Sequence, residues 1–193
     1  MDTKNDLPII PFASRREWEE WLDDHHVTSK GLWLKIAKKG SGIGTVTYAE
    51  ALDIALCYGW IDGQKGSFDD TFWLQRFTPR GPKSKWSKVN RDRALDLIQD
   101  NRMKPAGLNA VDRARADGRW DQAYDPQSVA VVPEDLQVAL DQNPGAAAFF
   151  TTLDSANRYA VLYRIQDAKK LETRARRIEQ FVAMLSRHEK LHP

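Results

Sequence analysis

The sequence has few of the residues that build covalent frameworks or membrane anchors. Cys57 is its only cysteine, which excludes an intrachain disulfide and a cysteine-rich zinc site. No apolar run approaches the roughly 18 residues that a membrane helix needs. The N-terminal stretch MDTKNDLPIIPFAS has neither the basic nor the apolar region of a signal peptide. We therefore expect a cytoplasmic protein in a reducing compartment, with Cys57 reduced and largely buried.

Signatures of catalysis and of metal binding are also missing. The loop KKGSGIG contains Gly40, Gly42 and Gly44 but lacks the Gly-Lys-Ser/Thr ending of a phosphate-binding P-loop. His25 and His26 are adjacent, so they cannot share a helix face, and a helix end explains them better than a metal site. We assign no catalytic residue, no metal and no cofactor, and the sequence leans against an enzyme.

Positive charge and aromatic side chains are concentrated in residues 58–93. From Arg76 to Arg93 the chain has seven Lys or Arg and one acid, a local charge of +6. The whole chain of 193 residues carries only +2, so the other residues sum to −4. Arginine can bind phosphate or carboxylate with two parallel hydrogen bonds, and tryptophan can stack on a base.

We predict that this segment forms a binding surface for an anionic ligand, with nucleic acid as one candidate. The predicted ligand-binding residues are Trp60, Asp62, Arg76, Arg80, Lys85, Trp86 and Asn90. The bland alternative is a solvated loop whose lysines keep the surface soluble, with Trp86 in the core.

Two other function classes stay open. In one, the protein is a small-molecule enzyme that uses Asp62 as a general acid or base, while Arg76 or Arg80 holds an anionic substrate. Against this stands a turn-forming Asp62 that pairs with Arg76 or caps the link at Gly63. In the other, the protein is an interaction scaffold for a protein partner or a second copy, and the sequence does not give the oligomeric state.

Periodicity and turn signals predict an α+β fold. Residues 1–85 read as a small N-terminal helix/strand part, residues 86–132 as a helical connector, and residues 133–193 as an α-helical C-terminal domain. Within the first part, residues 1–13 read as a loosely tied arm, LWLKIAKK as a strand, and WIDG and TFWLQRFT as two strands joined by a turn at residues 64–66.

Capping signals mark the helix starts. Ser14 with Glu17, and Thr47 with Glu50, have capping-box spacing. Later starts are marked by Pro105, Pro133, Pro144 and Asp154. The last helix has the apolar stripe Ile178, Phe181, Val182 and Leu185. Its Glu172 and Arg176 are spaced to pair, which leaves Arg177 free.

The C-terminal helices carry a recognisable motif. It reads I-x-x-A-K and then E-T-R-x-R-R-I, and consists of Ile165, Ala168, Lys169, Glu172, Thr173, Arg174, Arg176, Arg177 and Ile178. With the preceding VPEDLQVALDQNP, it resembles the YdeI/OmpD-associated family, also labelled bacteriocin-protection proteins. GLWLKIAKKGSG, TYAEALDIALCYGWIDGQ and RFTPRGPKSKWSKVN look like its longer members, so the resemblance covers about residues 12–192. It implies a stress-protective role linked to the envelope or to porins, and no catalytic residues.

Overall fold

The computed structural model describes residues 2–193, which form two compact units. The first consists of the chain as far as Trp86 together with Asn90–Ala123, and the second of Ser87–Val89 together with Tyr124–Pro193. Sheet and helices in the first unit and helices in the second confirm the predicted α+β class. Residues 90–123, expected in a connector, lie in the first unit. No helix within residues 2–193 is long and apolar enough to cross a membrane.

A five-stranded sheet forms the frame of the first unit. Its strands are β1 (Thr3–Lys4), β2 (Leu7–Pro11), β3 (Leu32–Ala37), β4 (Trp60–Ser67) and β5 (Phe72–Pro79), in the order β1-β2-β3-β5-β4. Only β2 and β3 are parallel. The prediction of a loose arm at residues 1–13 is wrong, because β1 and β2 pair within this sheet. Two prolines in β2 obscure its strand pattern, and such prolines are tolerated near a sheet edge.

The first unit has four helices, and three of them, all but the third, begin where the capping signals predict. The four are α1 (Arg15–His25), α2 (Tyr48–Cys57), α3 (Lys88–Gln99) and α4 (Pro105–Ala116). Ser14 Oγ accepts the amide hydrogen of Glu17 at 3.3 Å. Thr47 and Glu50 form a complete capping box, and the hydrogen bonds from Thr47 lower the pKa of the Glu50 carboxyl. The first two residues of α3 belong to the second unit.

The two faces of the sheet differ in what covers them. Leu32, Leu34, Ile36, Trp60 and Phe77 pack with α1 and α2 in the main core, which also contains Trp18, Leu22, Leu52, Leu56 and Trp86. Trp33 and Leu74 point to the opposite face, where they form a small cluster with Leu7. We refer to the first face as the helix-covered face. Because successive strand residues alternate between faces, each residue of β5 can be assigned to one of them.

The second unit is a helical bundle. Its helices are α5 (Glu134–Asp141), α6 (Pro144–Thr152), α7 (Ser155–Gln166) and α8 (Leu171–Ser186). Pro144 occupies the first turn of α6, and Asp154 caps α7 by accepting the amide hydrogen of Asn157 at 2.7 Å. The stripe predicted for α8 is buried, together with Leu136, Leu140, Phe150 and Ile165. These predictions are therefore confirmed.

Two arginines of the E-T-R-x-R-R-I motif hold the C-terminal end of α7. Arg174 donates to the carbonyl oxygen of Ile165 at 3.0 Å, and Arg177 donates to that of Arg164. Arg177 is also 3.7 Å from the carboxylate of Asp167, so the prediction that it is free is wrong. Arg174 additionally binds both carboxylate oxygens of Asp135, at 2.5 and 2.9 Å. The motif thus supplies side-chain donors to two carbonyls at the helix end, of which that of Ile165 also accepts the amide hydrogen of Ala168 at 3.1 Å.

Candidate functional site

A β-bulge in β4 decides which side chains share the helix-covered face. Asp62 pairs with Phe77, whereas Lys65 pairs with Gln75, so two residues of β4 stand opposite the single residue Arg76. Such a bulge re-aims the residues that follow it. Gln75 braces it, since its side-chain amide donates to the carbonyl of Gly63 at 2.9 Å. The turn predicted at residues 64–66 is wrong, because these residues continue the strand.

The bulge brings Lys65 to the same face as Trp73. The register places Lys65 opposite Gln75 and Ser67 opposite Trp73, and Gln75 and Trp73 lie on one face of β5. The ammonium of Lys65 lies 4.7 Å from the centroid of the half-buried Trp73 ring. Without the extra residue in β4, Lys65 would point to the opposite face.

An open groove surrounds this pair. It has a volume of about 560 Å³ and is lined by Lys38, Lys39, Lys65, Gly66, Ser67 and Trp73. We call it the strand-side groove. The described residues that line it include three lysines and no acid, and Asp69, outside the lining, lies close enough to Lys38 for the two charges to interact. Lys38 and Lys39 follow directly after β3, and the amide of Lys38 is tied to the carbonyl of Thr71 at 2.8 Å.

A second groove is also lined by Lys38, Lys39 and Trp73. Its volume is about 500 Å³, and its lining runs from Ile36 to Thr45 and includes Thr47, Tyr48 and Trp73. We call it the loop-side groove. Its lining, within the described chain, also contains no acid. The loop that forms it is closed at its base, because Thr45 Oγ1 accepts the amide hydrogen of Ala37 at 3.0 Å.

A hydrogen-bonded network lies behind the loop-side groove. The Tyr48 hydroxyl donates to Asp62 Oδ2 at 2.8 Å, and Asn90 Nδ2 donates to Asp62 Oδ1 at 3.1 Å. Tyr48 also contacts Trp73, with ring centroids 6.1 Å apart. Asp62 is absent from both groove linings. In this arrangement each carboxylate oxygen of Asp62 accepts one of these hydrogen bonds, which hold Tyr48 and Asn90 in place.

The structure places most predicted ligand-binding residues in the interior. Trp60 and Trp86 are 1% and 2% exposed, and Arg80 is 7% exposed. Trp60 donates its indole hydrogen to the carbonyl of His26 at 3.2 Å. Asn90 is buried against Asp62, while Lys85 is exposed. As packed here, the two tryptophans offer almost no ring surface for stacking.

Arg76 is separated from Asp62 by the sheet. Asp62 pairs with Phe77, so Arg76, the next residue along β5, points to the opposite face. Its stem lies against Gly63, and within residues 2–193 its buried Nε has no hydrogen-bond acceptor. Within residues 2–193, neither groove is lined by Asp62, Arg76 or Arg80.

Two of the seven cations pair with acids from elsewhere in the chain, and a third pairs with the one acid already counted in the +6. Lys88 lies 2.6 Å from the carboxylate of Asp125, and Arg93 is paired with Asp53. Arg91 pairs with the neighbouring Asp92 at 3.0 Å. The +6 counted along the sequence is therefore not a +6 surface.

Sequence reasoning did not assign Lys38, Lys39, Lys65 or Tyr48 to the site. The sequence contained one signal for this site. Lys38 and Lys39 come directly after a predicted strand and are followed by Gly40, Gly42 and Gly44. The position of Lys65 was hidden in a stretch that resembled a turn. No group of three or more His, Cys, Asp or Glu side chains within residues 2–193 is placed to hold a metal ion.

Two family models match this chain. The family described as "Domain of unknown function (DUF8412)" matches residues 10–110, just over half of the 193 residues. The family described as "Bacteriocin-protection, YdeI or OmpD-Associated" matches residues 129–188, which confirms the resemblance of the C-terminal helices. No curated protein and no solved structure matches the chain.

Proposed function

Because this chain belongs to the family described as domain of unknown function DUF8412 and carries a YdeI/OmpD-associated domain at residues 129–188, we propose that it is a binding protein in which the DUF8412 part takes an anionic ligand with a planar ring. The site is the pair of grooves around Trp73. The observation that carries the proposal is the bulge in β4, which aims Lys65 onto the Trp73 ring beside Lys38 and Lys39.

Charge and shape support this class of ligand. Three lysines without an acid in the groove lining attract an anion, and a low-dielectric wall such as an indole ring strengthens that attraction. A half-buried tryptophan supplies a flat apolar surface on which a ring can stack, which is typical of nucleotide and nucleic-acid sites. Grooves of this size are in the range that holds small organic ligands.

The geometry favours this function over the enzyme alternative. A catalytic Asp62 would need Arg76 or Arg80 beside the same substrate, and these side chains lie on the other face of the sheet or in the interior. Both oxygens of Asp62 already accept hydrogen bonds from Tyr48 and Asn90.

The test is a titration of the protein with adenosine monophosphate at low salt, in which binding is measured by tryptophan fluorescence and by calorimetry. A Lys38→Ala/Lys39→Ala variant should lose binding. The matched control, Lys30→Ala/Lys83→Ala, also removes two exposed lysines from the first unit and should bind like the parent. Equal affinity in the two double variants would remove the grooves as the site.

A cellular role in protection is a second part of the proposal. It is supported by the description of the family that matches residues 129–188, which names bacteriocin protection. If ligand binding serves this role, cells that lack the protein should survive bacteriocin or envelope stress less well. The parent gene should restore survival and the Lys38→Ala/Lys39→Ala gene should not. Equal rescue by both genes would separate protection from the grooves.

A further inference from the structure

We propose that the ligand of the two grooves is a single-stranded nucleic acid, bound with one nucleotide in each groove and with the connecting phosphate at Lys38 and Lys39. This inference rests on the proposed function and specifies its ligand. The strand-side and loop-side grooves share Lys38, Lys39 and Trp73.

The shared residues border two compartments of similar volume. Their volumes are about 560 and 500 Å³, and each is large enough for one base with its sugar. A mononucleotide would fill one compartment and leave the other open. A dinucleotide step would fill both, and its bridging phosphate would lie where the chain supplies two consecutive lysines.

Trp73 lies where a base would stack. Its ring is half-buried and is held from behind by Tyr48, with ring centroids 6.1 Å apart. Lys65 covers the ring in the free protein, with its ammonium 4.7 Å from the centroid. An incoming base would replace the Lys65 ammonium on the Trp73 ring. Lys65 would then move to a neighbouring phosphate and stay close to the nucleic acid.

Three of the residues that line the loop-side groove are glycines. A Cβ atom built on Gly40, Gly42 or Gly44 meets nothing within 4 Å. Gly40 and Gly42 have positive φ angles, 86° and 73°, which other residues rarely adopt. Open space around these three alternating glycines allows a sugar–phosphate backbone to approach the loop closely.

A single strand fits these features better than a duplex. Stacking on Trp73 requires a base whose face is free, and in a duplex both faces are covered by neighbouring pairs. Single-strand sites typically combine a basic track with a stacking ring and show little sequence preference. We therefore expect weak discrimination between bases and between DNA and RNA.

The experiment measures dissociation constants for dT mononucleotide, dinucleotide, dT8 and an 8-base-pair duplex at several salt concentrations. Affinity should rise about tenfold from mononucleotide to dinucleotide, since a second stacked or enclosed base contributes roughly that much. For dT8 the slope of log affinity against log salt should become shallower by about 0.7 in Lys38→Ala/Lys39→Ala, because the two lysines neutralise one bridging phosphate and each neutralised phosphate contributes about 0.7. Lys30→Ala/Lys83→Ala should keep the parental slope.

A variant that fills only one compartment makes the test specific. Gly44→Leu adds a side chain where the free protein has open space, and the φ angle of Gly44 is not positive. It should reduce dinucleotide affinity to the mononucleotide level and leave mononucleotide affinity unchanged. Gly145→Leu, in equally open space on α6, is the matched control and should bind like the parent.

The outcomes distinguish this inference from the proposal beneath it. Equal affinity for mononucleotide and dinucleotide, with no effect of Gly44→Leu, would overturn the two-compartment ligand and leave the anion site intact. Duplex binding as tight as dT8 binding would also overturn it. Absence of binding by every probe at low salt would overturn both the inference and the proposed function.

Discussion

The guanidinium carbon of Arg80 lies 3.5 Å from the centroid of the Trp86 ring, and both side chains are buried. Arg80 also donates through Nη1 to the carbonyl of Lys85 at 3.1 Å, so it fixes the loop that leads to Trp86. On its other side Trp86 packs edge-on against Trp120, with ring centroids 4.8 Å apart. In the sequence, Arg80 and Trp86 resemble a phosphate-binding arginine beside a tryptophan that could stack on a base. In this structure they form an internal cation–π contact.

Replacement of Trp86 should therefore affect stability. We expect Trp86→Ala to lower the free energy of unfolding by about 3–5 kcal/mol, the usual cost of removing a buried tryptophan. Lys83→Ala, three residues away on the surface, should change it by less than about 0.5 kcal/mol. Urea denaturation followed by circular dichroism measures both. A Trp86→Ala variant as stable as the parent would show that this ring is not part of the core.

The hydrogen bond between Tyr48 and Asp62 should be visible as an energetic coupling. A double-mutant cycle of Tyr48→Phe and Asp62→Ala isolates their interaction from other effects of each change. A hydrogen bond to a half-buried carboxylate should give a coupling of about 1–2 kcal/mol. Two additive single variants would contradict the geometry. A cycle of Tyr48→Phe with Asp92→Ala is the control, because Asp92 pairs with Arg91 instead.

Arg174 should stabilise the second unit, and part of this effect should depend on pH. Arg174→Ala loses the contacts to Asp135 and to the Ile165 carbonyl and should cost about 1–3 kcal/mol at pH 7. Arg176→Ala, an exposed neighbour, should cost less than about 0.5 kcal/mol.

The sign of the pH effect follows from Asp135. The hydrogen bond from Arg174 lowers the pKa of the Asp135 carboxyl below its ordinary 3.8. The stabilisation is therefore fully present above pH 3.8 and is lost as the pH falls through the lowered value. The difference between parent and Arg174→Ala should shrink in acid but not vanish, because the bond to the Ile165 carbonyl does not titrate. A difference that is constant with pH would contradict the ion pair.

The thiol of Cys57 should be unreactive in the folded protein. The side chain is 4% exposed, which confirms the expected burial, and burial raises its pKa from 9.0 to about 11. Titration with a thiol reagent at pH 8 should be slow without denaturant and rapid with it. Because the folded pKa is raised, the contribution to stability is complete below pH 9 and is lost as the pH rises through about 11. Rapid, complete modification of the native protein would contradict burial.

The sequence determined the features that depend on near neighbours. Thr47 and Glu50 are three residues apart, and Asp154 and Asn157 likewise, so capping hydrogen bonds form within one helical turn. The stripe of α8 follows from the helical repeat alone. For the same reason the α+β class and most helix starts could be predicted without any tertiary contact.

Only the tertiary structure decided where charge and aromatic surface meet. Lys88 and Arg93 find their acids 37 and 40 residues away, at Asp125 and Asp53, so a count along the chain overstates the local field. Lys65 reaches Trp73 because two residues of β4 stand opposite Arg76, and that register depends on pairing with a separate strand. Register and ion pairing are non-local, since they are settled by which segments pack together and not by the residues on either side.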